Sequence, residues 1–183
     1  RLLATAGLNG AACCDPLRPI PLILVGRLLK TLAEIAGPDT PCQILEEAPL
    51  TELAMLGKVA VGSRTPLEAF GRISAALPIF CSHEQIAVRS EQGMIVVNHS
   101  YTTRLEAEAE HLMLVYAAAM VQRLCQMTGI AGASVARVTL PPHPVVGVGH
   151  LQGRIGREVV AVPNHSITLH VEGSLAHSAF PQK

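Results

Sequence analysis

An α+β fold is the class this sequence predicts, with a helical N-terminal half and a mostly antiparallel sheet packed on a long central helix. Three observations lead there. Up to about residue 80 the apolar residues recur at helical spacing and the segment boundaries carry helix-cap chemistry. From Glu84 the period shortens to two, with β-branched runs at 84–89, 94–101, 134–140, 159–162 and 166–171. Between the second and third runs lies an apolar helical stretch, Arg104 to Met127, long enough to serve as the spine of a single domain spanning residues 1–183.

The elements follow in order. After a short apolar start and a turn-rich approach at Asp15–Ile20, Pro21 opens a helix reaching Ala36, with Leu22, Val25, Leu28, Leu29 and Leu32 on one stripe and Gly37 as its stop. Thr40-Pro41-Cys42-Gln43 reads as cap, first-turn proline and a side chain reaching back, which starts a brief helix to Glu47. Leu53 to Ser82 is the most clearly specified unit: a helix over 53–61, a left-handed stop at Gly62, then Thr65, Pro66 and Glu68 as cap, first helical residue and capping-box acid of a helix to about Ala76. The hairpin 84–101 turns through a four-residue loop, Ser90-Glu91-Gln92-Gly93. The helix from Arg104 carries Glu106, Glu108 and Glu110 at its positive end, is apolar nearly all round from Leu112 to Met120, and closes at Gly129. In the strand 134–140, alternation turns Arg137 away from the core. The glycine-rich passage 147–156 holds one helical turn, and two strands flank Pro163-Asn164-His165 before a tail of loop or short helix.

Composition narrows the function. Fourteen basic and fourteen acidic residues cancel, only three lysines occur (Lys30, Lys58 and Lys183), and the arginines are scattered. Such a chain has no basic patch for nucleic acid, whose binding rests on phosphate neutralisation. Hydrophobic residues make up 49% and charged residues 15%. That is more apolar material than a compact core needs, so the surplus lines a cavity, forms an oligomer interface or covers a missing neighbour. The five cysteines, at 13, 14, 42, 81 and 125, are irregularly spaced and sit mostly in apolar runs, as reduced thiols of a cytosolic protein do. No apolar run reaches the ~18 residues of a membrane span. The chain starts Arg1-Leu2-Leu3, without methionine, and reads as part of a longer protein.

Motifs for chemistry are missing. The eight histidines show no HExxH spacing, the cysteines no CxxC, and Ser82-His83 has no nucleophile elbow. The glycines at 147–156 lack the strand, helix and GKS or GKT ending of a phosphate loop. We therefore assign no catalytic residue, no cofactor and no metal. Polar residues in apolar surroundings are the better candidates for ligand contact: Arg89 on the first strand, Asn98, His99 and Tyr101 on the second, and His111 and Tyr116 on the long helix. His111 and Tyr116 are five apart, so one is expected to face a pocket and the other a neighbouring element.

Four segments carry a family resemblance: Asp15 to Ala36, Leu53 to Gly57, the turn Gly62-Ser63-Arg64-Thr65-Pro66-Leu67-Glu68-Ala69, and Pro163-Asn164-His165-Ser166-Ile167-Thr168-Leu169. In their order and spacing they resemble the N-terminal, arabinose-binding-like effector domain of AraC/XylS-type transcription regulators. The chain departs from that pattern at Leu151-Gln152-Gly153-Arg154-Ile155-Gly156, where an aromatic-rich helix is usual. The resemblance implies a cytoplasmic, homodimeric sensor of a small-molecule effector, with DNA bound only through a C-terminal helix-turn-helix domain absent from this chain. Two alternatives stay open: a purely structural dimerisation domain, with a filled core, and a metal or haem sensor using His99, His111 or His170.

Overall fold

The computed structural model describes residues 2–8, 19–49, 57–59 and 62–181. The helices are α1 (Leu2–Thr5), α2 (Leu22–Ala36), α3 (Thr40–Glu47), α4 (Pro66–Phe80), α5 (Ala107–Gln126) and α6 (Gly173–Ala176). The strands are β1 (Glu84–Glu91), β2 (Met94–Tyr101), β3 (Arg137–Leu140), β4 (Glu158–Ala161) and β5 (Ser166–Glu172), with a 3₁₀ turn at Gly149–Leu151. They form one sheet in the order β1-β2-β5-β3-β4, antiparallel except for the β3–β4 pair. This is the α+β class read from the sequence.

The central helix α5 holds the layers together. Leu112, Leu114, Val115, Ala118, Leu124 and Cys125 on it are completely buried. It meets β2, β3 and β5 on one side and α2, α3 and α4 on others, so an all-round apolar surface is what its position demands. Gly26 lets α2 approach closely: a Cβ there would lie 3.1 Å from the Ala109 Cβ. Lys30 on α2 then bridges Glu106 and Glu108 at the start of α5, at 2.6 and 3.1 Å. On the far side Gln122, 7% exposed, ties in the loops. Its Oε1 accepts from Val135 N at 3.0 Å, Ser134 Oγ at 3.1 Å and Gly156 N at 3.4 Å.

The capped start of α4 is as expected. The Thr65 side chain accepts from Glu68 N at 3.1 Å, Pro66 follows, and Glu68 accepts from Arg64 N at 2.7 Å. Other local expectations are corrected. Thr40 is not a cap but the first residue of α3; its hydroxyl donates back to Gly37 O at 2.6 Å, and Asp39 holds the cap position. Gly62 is not in the left-handed region; its N–H closes a helical turn onto Lys58 O. The 53–61 helix is described only at residues 57–59, which are helical. Its other residues, the Asp15–Arg18 approach and Cys13-Cys14 lie outside the described residues. Helix α4 runs past Ala76 to Phe80 with Pro78 inside it. A proline in the last turn removes only one ladder bond, and Cys81 N still closes on Leu77 O at 2.8 Å.

The hairpin is tighter than its composition suggested. The turn is the two residues Gln92 and Gly93, with φ of 50° and 80°, and Glu91 pairs with Met94. Positive φ at both turn residues matches the right-handed twist of the flanking strands. Helix α5 begins at Ala107 rather than Arg104, because Glu106 is extended at the cap position. Strand β3 begins at Arg137 rather than Ser134, because Val135 gives its N–H to Gln122 instead of a strand neighbour. Arg137 does face away from the core, beside Glu158.

Candidate functional site

A cavity of about 460 Å³ lies between the inner sheet face and α5, with α2 and α4 completing its wall. Its volume is within the range of pockets that hold drug-sized ligands. Strand alternation builds one side. Val97, His99 and Tyr101 project from β2, while Glu84 and Ile86 project from β1, where they pair with Tyr101 and His99. The leucine stripe of α2, with Leu22, Leu28, Leu29 and Leu32, closes another side, and Phe70 and Ile73 of α4 a third. Within the buried run of α5 from His111 to Met120, only Tyr116 and Ala117 keep partial exposure, and both open on this cavity.

Among the described residues the wall is almost wholly apolar, and its polar groups are few and concentrated. His99 is 5% exposed, and neither ring nitrogen has a hydrogen-bond partner. Its Nε2 lies 3.2 Å from Glu84 Oε2, close enough for an ion pair but not oriented as a hydrogen bond. The His99 ring sits 4.9 Å from that of Tyr101, centre to centre. The Tyr101 hydroxyl donates to Met113 O at 3.4 Å. Glu84 Oε1 accepts a weak bond from Cys81 Sγ at 3.4 Å. Burial, and then the Glu84 charge, push the Tyr101 phenol well up; the same causes raise Tyr116. Both phenols are therefore neutral donors in a site whose field is negative.

The sequence candidates separate by strand face and helix face. His99, Tyr101 and Tyr116 meet at the cavity. Arg89 does not: it pairs with Val96 on the outer sheet face, half exposed and beside Glu91. Asn98 lies on that same outer face, where its Nδ2 donates to Thr168 Oγ1 at 2.7 Å. His111 lies about 140° around α5 from Tyr116, the angle five helical residues subtend. It is fully buried, donates from Nδ1 to Pro141 O at 2.8 Å, and has its Nε2 3.3 Å from His150 Nε2. Sequence reasoning missed Glu84 and Cys81. The signal for Glu84 was its place, an odd number of pairs from the outward Arg89 on the same strand.

His99, His111 and His170 do not converge. His170 pairs with Val96 on the outer face, opposite to His99. A different trio does gather, His111, His143 and His150, with ring centres 5.3 to 6.0 Å apart. Among the described residues no group of three or more histidine, cysteine, aspartate or glutamate side chains is arranged to hold a metal ion. In His143, Nδ1 accepts from Val145 N and Val146 N, and Nε2 faces Glu108 at 3.5 Å, so both nitrogens are already engaged. Burial pushes the thiols of Cys42 and Cys125 up to about 12, so they pack as inert small hydrophobes. No described helix is long and apolar enough to cross a membrane.

Comparison with known proteins gives a consistent answer. No curated protein sequence matches the chain. Among solved structures, the fold is similar to that of the transcriptional regulator CdpR from Pseudomonas aeruginosa, with a TM-score of 0.63 at 16% identity. That likeness covers 98% of this chain and 55% of the CdpR chain, so the chain spans about half the length of that relative. The sequence pattern described as the arabinose-binding domain of AraC transcription regulator, N-term, matches residues 1–148. With that pattern over most of its length, a five-stranded sheet on a buried helix and a ligand-sized cavity between them, the chain belongs to the family of N-terminal, arabinose-binding regulatory domains of AraC-type transcription regulators.

Proposed function

We propose that this domain is the sensor of a bacterial cytoplasmic regulator, taking a small-molecule effector into the cavity between the sheet and α5. The observation that carries the reading is His99: a buried imidazole without hydrogen-bond partners, on the wall of a cavity of about 460 Å³. Buried polar groups are nearly always paired, and one left open beside a cavity is what a ligand would satisfy. A purely structural dimerisation domain calls for a filled interior, so the cavity favours the sensor over that alternative.

The mechanism is a population shift. Effector contacts join α2, α4, α5 and the sheet across one space, so a bound molecule favours whichever packing of these elements fits it. That packing is transmitted to a separate C-terminal DNA-binding domain and across a homodimer. The domain performs no catalysis in this scheme. Ala117→Phe tests it by filling the cavity from α5. Effectors that raise the melting temperature of the wild-type domain should lose that effect in A117F, whose own stability is little changed. An effector that activates transcription yet stabilises both proteins equally, or neither, refutes the site.

A further inference from the structure

We propose that the effector is an amine: an apolar body carrying an ammonium group that donates hydrogen bonds to Glu84 and to His99. This inference rests on the sensing role above and specifies the chemistry the site selects. Among the described residues of the wall Glu84 is the one acidic side chain, and none of them is lysine or arginine. A buried carboxylate or phosphate ligand would therefore meet no counter-charge among the described residues and would face the charge of Glu84.

The same geometry leaves acceptors open. Among the described residues no lysine or arginine pairs with Glu84, whose contacts are Cys81 Sγ and the poorly oriented His99 Nε2. With Nε2 the ring nitrogen nearer the carboxylate, the negative charge favours the proton there, and His99 Nδ1 becomes a buried acceptor without a donor. An ammonium group has several N–H donors and a charge opposite to that of Glu84. Tyr101 and Tyr116 add aromatic faces, which attract cations and repel anions. An alcohol satisfies one acceptor without neutralising the charge. The leucines of α2 with Phe70 and Met120 then take the apolar body.

The test uses the 183-residue domain, isothermal titration calorimetry at neutral pH and three probes sharing one body: phenylhexylamine, phenylhexanol and phenylhexanoate. The amine is expected to bind about tenfold or more tighter than the alcohol, as a charge-assisted hydrogen bond allows, and the carboxylate weakest of the three. Glu84→Gln is expected to remove the amine's advantage over the alcohol, with an unchanged circular dichroism spectrum and a single cooperative urea transition showing that the variant is folded. A carboxylate that binds as tightly as the amine overturns the proposal, as does an amine advantage that survives in E84Q. If the alcohol binds and the amine has no advantage, the head-group assignment fails and the sensing cavity stands. If none of the three binds, both fail.

Discussion

Acidification places a defined load on His111. This side chain is completely buried, its Nδ1–H is committed to Pro141 O, and its Nε2 faces another imidazole. Burial, with the nearby His150 and His143, lowers its pKa from 6.5 to about 4, although the Pro141 bond and Glu108 oppose the shift. Above the unfolded value neither state binds a proton at this site, and its contribution to stability is complete. As pH falls from about 6.5 to about 4, the unfolded chain takes up a proton that the folded state refuses, so stability falls; below about 4 both states are protonated and the loss stops. A gap of about 2.5 units at ~1.36 kcal/mol each makes the loss about 3 kcal/mol.

His111→Asn isolates that loss, because an asparagine amide can still donate to Pro141 O but does not titrate. Urea unfolding followed by circular dichroism, repeated across this pH range, should show wild type losing about 3 kcal/mol more than H111N. Paired carboxylates titrate in both proteins and cancel in the difference. Parallel stability curves for the two proteins would refute the account of His111 as a neutral buried group.

Other predictions follow from single contacts. Gln122→Leu strands the N–H groups of Val135 and Gly156, and should destabilise the domain by about 2–4 kcal/mol in urea. Gly173→Ala places a Cβ 2.6 Å from Gly93 O, a backbone atom that cannot move aside, and should cost about 1–3 kcal/mol, where Gly71→Ala on an open face of α4 should slightly stabilise. Thr65→Ala removes the cap bond to Glu68 N and should lower stability by about 1 kcal/mol, whereas Thr40→Ala leaves no backbone N–H of α3 uncapped and should cost less. Thermal or urea denaturation checks each.

How much could be read in advance depended on whether a signal was local. Thr65-Pro66-Leu67-Glu68 announces a helix start within four residues, and α5 announces its burial by its own composition. The hairpin register was less legible, because Glu91 looks like a loop residue and Gln92 adopts positive φ without being glycine. The error is a shift of two in pairing, which leaves every side chain on its correct face. Alternation from Arg89 and Asn98 therefore sufficed to exclude both from the face of His99, had it been applied across the hairpin. His111 was different: its partners Pro141 and His150 are 30 and 39 residues away, and nothing local reveals them. Thr40 failed as a cap because Asp39, one residue earlier, already occupies that position.

The order of strands in the sheet has a consequence for synthesis and folding. Strand β5 is last in the chain yet sits between β2 and β3, pairing with both. The strand carrying His99 and Tyr101 thus waits for a partner some 70 residues downstream, as Asn98 and Thr168 show. Such late, non-local closure slows folding and leaves an open strand edge on the ribosome until almost the whole domain has emerged. Residues 1–148, the stretch that matches the family pattern, end before β4 and β5. A fragment cut there lacks the strand that joins the two halves of the sheet, so the smallest unit able to build this cavity extends at least to Glu172.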